Sequence, residues 1–235
     1  MYAVFKEKQV KTKDVDDEVT RIIVPSETRF SGSFLMLRSL QKNKRALRET
    51  ALEEDIGVPA DFRLIVFDDV FWNLVSFILE YLEPIVTGTH VIEAHNAKLS
   101  TMVAVCMNVK HKLESAVQRA NETDADGKRV CPVSESDLFL AARASRYRIQ
   151  SFCITPLHLA TYILDPEFTG NGCSDDEIVR GINVIRDLAN FLKLDTNANL
   201  ENLANFRAKS KFYGNAVIWD ASRTVADSIT WWNAF

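Results

Sequence analysis

Apolar residues recur every three or four positions along almost the whole chain, and this spacing constrains the fold more than any other feature. Only 8 glycines and 6 prolines are distributed over the 235 residues, so few positions force a helix to end. The stretch over residues 99–117 keeps the pattern for about five turns, which is typical of a central bundle helix. We therefore predict an all-α fold, a multi-helix bundle with at most one short strand near residues 20–25.

Capping residues and prolines mark where the predicted helices begin and end. One helix is expected over residues 33–51, and a second, very apolar helix over residues 71–82, ended by Pro84. Ser134 and Ser174 each precede an acidic residue by three positions, which predicts a capping box before two further helices. A late helix that begins near Leu200 is expected to end at Gly214, a residue type favoured just after a helix.

The segment ITPLHLATYILDPEFTG, residues 154–170, raises the question of whether it is catalytic or structural. Thr155 can cap a helix whose first position is Pro156, where the missing N–H costs nothing. Asp165 precedes a proline, so the helix is expected to stop at about Leu164. We interpret His158 as a first-turn residue with one local hydrogen bond and Asp165 as a turn former. A metal site or an acid–base pair formed by these two residues is the alternative.

Charge and cysteine content limit the compartments and partners that this chain fits. The 28 basic and 32 acidic residues give a net charge of -4, so any nucleic-acid contact has to be local. The four cysteines contain no C-x-x-C pair, which favours reduced thiols inside the cell. We find neither a signal peptide nor an uninterrupted membrane span, because acidic residues interrupt the apolar stretch over residues 67–86. A nuclear or cytoplasmic protein without a membrane partner is expected.

The polar, mixed-charge residues 1–20 predict a poorly ordered N-terminal segment, and residues 21–235 a helical domain. The stretch NETDADGKR at 121–129 is the most loop-like part of that domain. A division into two subdomains near residues 121–133 is therefore a second possibility for its organisation.

No common cofactor or nucleophile motif occurs in the sequence. His90, Glu93 and His95 form an H-x-x-E-x-H pattern, but histidines five positions apart point about 140° away from each other on an ideal helix. We predict no catalytic residue, no metal site and no cofactor. A metal hydrolase that uses His90, Glu93, His158 and Asp165 is the competing hypothesis, and it requires stoichiometric metal uptake.

Three segments, taken together, resemble the hAT superfamily of transposases. They are ETRFSGSFLMLRSLQKNKRAL at 27–47, PLHLATYILDPEF at 156–168, and residues 202–232, which end in a tryptophan pair. The resemblance covers most of the chain from about residue 20 and places it in the all-helical region that interrupts the RNase H-like catalytic core. The family carries a tryptophan after Thr-Arg, where this sequence has Phe30. If this aromatic residue stacks on the transposon end, phenylalanine keeps part of the stacking face but lacks the indole N–H.

The resemblance implies a fragment or a domesticated derivative without strand-transfer activity, because the family's catalytic acids belong to segments outside these residues. The zinc finger and the dimerisation motif of the family are also expected to lie elsewhere. DNA contact through a basic helix edge is the activity that the resemblance leaves open. Its candidate residues are Arg29, Phe30, Arg38, Lys42, Lys44, Arg45 and Arg48, with a solvated helix face as the competing interpretation of the same charges.

A second hypothesis from a different class is a helical protein-interaction scaffold. Trp231, Trp232 and Phe235 form an aromatic cluster at the end of the sequence, which either packs back onto the core or faces a partner protein. The partner would be a second copy of the chain or a transposase-like protein.

Overall fold

The computed structural model describes residues 1–12, 21–25, 31–123, 125–127, 129, 131, 133–224 and 227–235. Within these ranges the chain forms twelve α-helices and no β-strand, which confirms the predicted all-α class. Residues 21–25, the possible strand, have no regular secondary structure. The helices are α1 (Tyr2–Lys11), α2 (Gly32–Lys42), α3 (Lys44–Ala51), α4 (Ala60–Phe67), α5 (Asp69–Ile92), α6 (Leu99–Ala120), α7 (Glu135–Arg148), α8 (Pro156–Leu164), α9 (Asp175–Phe191), α10 (Thr196–Arg207), α11 (Ala216–Thr224) and α12 (Ser228–Ala234).

The chain divides into two compact units. Unit 1 contains Met1–Thr87 and Lys112–Ala142, and unit 2 contains Gly88–His111 and Arg143–Phe235. The boundaries lie inside α5, α6 and α7 rather than in the segment 121–133, where the sequence suggested a division. In that segment the described residues form a turn with an isolated bridge between Thr123 and Arg129.

In unit 1, Tyr2–Lys11 of the predicted N-terminal segment form α1, and α1 contacts α3. Gln9 is buried and its amide nitrogen donates to the Asn43 side-chain oxygen over 2.6 Å. Lys8 forms an ion pair with Glu53. The remainder of the predicted N-terminal segment, residues 13–20, lies outside the described residues.

The single helix predicted over residues 33–51 is two helices, α2 and α3, separated at Asn43. The Asn43 backbone N–H donates to both Ser39 O and Leu40 O, and its side-chain nitrogen donates to Ser39 O over 2.7 Å. Asparagine side chains compete in this way for backbone groups and so interrupt helices. Asn43 is buried, and its side chain also accepts a hydrogen bond from Gln9 of α1.

Pro84 does not end a helix, contrary to the prediction, because α5 continues through it to Ile92. Proline has no N–H to donate to the carbonyl four residues earlier, which normally costs a helix about 3 kcal/mol. Val75 and Val86 are buried on either side of Pro84. Packing of these side chains offsets the missing hydrogen bond, and packing is a tertiary effect that local sequence does not report.

Among the described helices, α5 alone is long and apolar enough to cross a membrane, judged by length and composition. In its most apolar window 22% of the residues are buried. Core helices of soluble proteins, which are mostly buried, and signal sequences pass the same test, so one such helix is weak evidence for a membrane span.

In unit 2, α8 and α9 form the most extensive helix pair, and both begin as predicted. Ser174 and Glu177 make the capping box of α9, and Thr155 with His158 makes that of α8, whose first residue is Pro156. The helices approach closely at Gly181, which is buried in α9. A Cβ atom at this position would lie 2.5 Å from Ile163 Cδ1.

The late helix α10 ends at Arg207 rather than at Gly214. Lys209 follows it in the left-handed conformation with φ 49°, and Ser210 N donates to Asn205 O over 2.9 Å. Gly214 instead ends a short 3-10 turn, Lys211–Gly214. The hydrogen bond from Ser210 is typical of a helix ending in which glycine usually occupies the left-handed position. Here that position is Lys209, so the sequence did not indicate that the helix ends there.

Candidate functional site

The most basic part of the described chain is the pair α2 and α3, which we call the basic segment. It contains five basic side chains and one acidic side chain, although the whole protein has a net charge of -4. The basic residues are Arg38, Lys42, Lys44, Arg45 and Arg48. Arg29 and Phe30, which were predicted to belong to the same edge, lie outside the described residues.

Packing of α3 against the core of unit 1 fixes the position of the basic segment. Leu47 and Ala51 of α3 form one buried cluster with Val66 of α4 and Trp72 of α5. The Trp72 indole N–H donates to Val66 O over 2.7 Å, which ties the start of α5 to the end of α4. One face of α3 is therefore buried against α4 and α5, and its charged side chains lie outside this buried face.

Arg48 is engaged within unit 1. Its Nη2 lies 2.7 Å from Asp69 Oδ1, and its Nε donates to Val66 O over 3.1 Å. The hydrogen bond from Arg48 and its positive charge lower the pKa of Asp69. Arg48 thus satisfies a carbonyl at the end of α4 and a carboxylate in the first turn of α5, where negative charge also suits the helix dipole.

Two more basic side chains of the segment have partners within unit 1. Lys44 Nζ lies 5.3 Å from the centre of the Trp72 ring, within the range of a cation–π interaction. Arg45 Nε lies 3.3 Å from Glu49 Oε1, and the Arg45 side chain is 72% exposed. An exposed pair of this kind contributes little to stability, about 0.3–0.5 kcal/mol.

Arg38 and Lys42 are exposed members of the segment. Among the residues that the structure describes, neither forms an ion pair. In the basic segment, Arg38, Lys42 and Lys44 therefore have no ion-pair partner among the described residues, and of these only Lys44 lies over an aromatic ring.

The C-terminal aromatic residues pack back into unit 2. Trp231 is completely buried, and its indole N–H donates to Ile218 O over 3.0 Å. The Trp232 indole N–H donates to Leu164 O over 2.9 Å, at the end of α8. Both rings contact Phe206, which is also completely buried. Trp231 and Trp232 hold the chain end on the core, and Trp231 has no surface for a partner in this arrangement.

Phe235, the third predicted partner residue, is 39% exposed and lies 5.4 Å from the Trp231 ring, measured between ring centres. The helix α12 that carries the cluster begins at the cap Asp227, whose carboxylate accepts from Thr230 N over 3.0 Å. Hydrogen bonds from the Thr230 hydroxyl and backbone lower the pKa of Asp227.

His158 and Asp165 have the separate structural roles that we predicted. His158 Nδ1 accepts from Thr155 N over 3.1 Å as the second half of the capping box. Asp165 ends α8, and its Oδ1 accepts from Glu167 N over 3.1 Å. The Asp165 side chain is also buried, and its Oδ2 accepts from the Ser100 hydroxyl over 2.7 Å. The sequence gave no indication of Ser100, because it lies 65 residues away and on another helix.

His90 lies in the last turn of α5, and Glu93 and His95 follow that helix. Within the described ranges, no group of three or more His, Cys, Asp or Glu side chains is arranged to hold a metal ion.

No protein-family model, no curated protein and no solved structure matches this chain. The resemblance to hAT transposases rests on the three sequence segments alone.

Proposed function

We propose that the chain is a transposase-derived helical module that contacts DNA through the basic segment and carries out no strand transfer. The observation that supports this function is the ratio of five basic side chains to one acidic side chain in α2 and α3 of an acidic protein. Lysine and arginine bind duplex DNA mainly through the phosphates, and their local density matters more than the average charge.

Within the segment, the contacts in unit 1 divide the candidate residues into two groups. The proposed phosphate contacts are Arg38, Lys42 and Arg45. The first two form no ion pair in the described chain, and the exposed Arg45 side chain can exchange the Glu49 carboxylate for a phosphate. Lys44 and Arg48 are proposed to position the helix instead, through Trp72 and Asp69.

The experiment is a salt titration of binding to a labelled duplex, followed by fluorescence anisotropy. Neutralising three phosphates gives a plot of log affinity against log salt with a slope of about -2.7, since each contact contributes about -0.9. The triple charge reversal R38E/K42E/R45E is expected to abolish binding at moderate salt while the circular dichroism spectrum stays that of the parent.

The matched control is R186E, which makes the same kind of change at an arginine of α9 that is paired with Asp187 and lies in unit 2. This variant is expected to retain most of the affinity, because it leaves every charge of the basic segment unchanged. Binding that does not respond to salt, or an equal loss per charge in R186E, would contradict the proposal.

A further inference from the structure

The outer face of α4 is an apolar surface that unit 1 leaves exposed to solvent. The inner face packs on the core, where Val66 is buried and Phe62 lies against the same cluster. On the outer face, Leu64 is 72% exposed and Phe67 is 43% exposed. Large apolar side chains grouped on one surface are typical of a site that binds another molecule.

Leu64 and Phe67 line a groove of about 550 Å³ together with Ala60, Arg63 and Asp68. The groove is open to solvent, whereas a small-molecule site buries most of the surface of its ligand. Its shape therefore suits the surface of another protein. Because one positive and one negative residue flank the apolar centre, a matching partner offers apolar side chains between two opposite charges.

The two charged residues of the groove have no ion-pair partner among the described residues. Arg63 Nη2 donates to Glu53 O over 3.2 Å, but the buried Arg63 Nε has no hydrogen-bond partner in the described chain. Asp68 Oδ1 accepts from Val70 N over 2.8 Å. A guanidinium has five N–H donors and a carboxylate has two oxygens, so each side chain can bind a further group of opposite charge.

The order of these residues makes the surface complementary to itself. Arg63 and Asp68 lie at equal distances along the chain from the midpoint between residues 65 and 66, and so do Leu64 and Phe67. If two α4 helices pack antiparallel about a two-fold axis at this midpoint, Arg63 of one copy faces Asp68 of the other. Leu64 of one copy likewise faces Phe67 of the other. Each contact then occurs twice, as two-fold symmetry requires.

We propose that a second copy of this chain covers the groove, and that α4 of each copy packs antiparallel on α4 of the other. Leu64 and Phe67 form the apolar centre of this contact, and an ion pair between Arg63 and Asp68 lies at each end. A standard protein interface takes roughly 20–30 residues from each side, whereas α4 has eight residues. We therefore expect a weak, concentration-dependent dimer with a Kd on the order of 100 µM.

The test is sedimentation equilibrium of the full chain without DNA, at protein concentrations that bracket the expected Kd, with circular dichroism to confirm folding. L64E places a charge in the apolar centre at an exposed position, so we expect this variant to remain monomeric. The matched control is L188E, which makes the same change at a 52% exposed leucine of α9 in unit 2. This control should dimerise like the parent.

The charge reversals R63E and D68R test the pairing itself. Each variant alone places like charges opposite each other at both ends of the contact, so we expect its dimer to be about tenfold weaker. In an equimolar mixture of the two variants, opposite charges meet at both ends, and we expect the mixed dimer to regain the parent affinity. The double variant R63E/D68R should dimerise for the same reason.

Two results would overturn the proposal. One is a chain that stays monomeric over the whole concentration range, and the other is a dimer that L64E and L188E weaken equally. A dimer that L64E removes, but that folded R63E and D68R do not restore when mixed, would overturn the antiparallel pairing.

Discussion

The substitution Gly181→Ala tests whether the backbones of α8 and α9 pack as closely as described. Alanine is the better helix former by about 1 kcal/mol, so on an open helix surface this change would stabilise the protein. Here the new Cβ would lie 2.5 Å from Ile163 Cδ1 and 3.1 Å from both Ala160 N and Leu159 C. The Ile163 side chain is completely buried, so it has little room to withdraw.

The expected net effect is a loss of about 2 kcal/mol in the free energy of unfolding, from roughly 3 kcal/mol of overpacking less the 1 kcal/mol gained in helix propensity. Urea unfolding followed by tryptophan fluorescence measures it, because Trp219, Trp231 and Trp232 all lie in unit 2 with this helix pair.

Two further variants separate the steric effect from other causes. D187A changes an exposed position of the same helix, and it should leave stability unchanged or raise it slightly. Ile163→Val removes the Cδ1 atom, so G181A/I163V should be more stable than the sum of the two single changes predicts. Rescue should be partial, because the two backbone contacts remain. A G181A protein as stable as the parent would refute the close approach.

Three other substitutions test individual contacts. Ser100→Ala removes the donor to the buried Asp165 carboxylate and should lower the free energy of unfolding by about 1–3 kcal/mol, measured by urea unfolding; an unchanged midpoint would show that water replaces the hydroxyl. Lys193→Gly removes the backbone strain of a lysine in the left-handed conformation, φ 57°, just after α9. We expect the free energy of unfolding to rise by about 0.5 kcal/mol and the thermal midpoint to rise with it. A lower midpoint would mean that the lysine side chain makes a compensating contact. The pKa of Asp227 is lower in the folded chain, so its cap stabilises α12 above the unfolded pKa and loses that effect as the pH falls through the folded value, below about pH 4. Asp227→Asn should flatten this acid dependence in a pH series of thermal melts, and an unaltered profile would assign it to other carboxylates.

The sequence predicted the helix starts well, because capping depends on residues within three positions of each other. Thr155 and Ser174 are the caps of α8 and α9 in the structure, as their sequence context indicated. The sequence was an unreliable guide to helix ends that depend on residues far away in the chain. α5 continues past Pro84 because buried side chains on both sides hold it, and α2 ends at Asn43, whose side chain is bonded to Gln9 of another helix.

The candidate site was only partly accessible from the sequence. The excess of basic residues in α2 and α3 is visible in the printed sequence, but the engagement of Arg48 with Asp69, 21 residues later, is not. For Trp231 the sequence left burial and exposure as alternatives, and the structure places it in the core.

The most direct test of the proposed DNA contact is hydrogen–deuterium exchange of the full chain, measured by mass spectrometry with and without a short duplex. The account predicts that the amides of residues 32–51 exchange more slowly with the duplex present, while those of α9 and α12 are unchanged. Slower exchange confined to unit 2, or no difference anywhere at a duplex concentration that saturates binding, would contradict it.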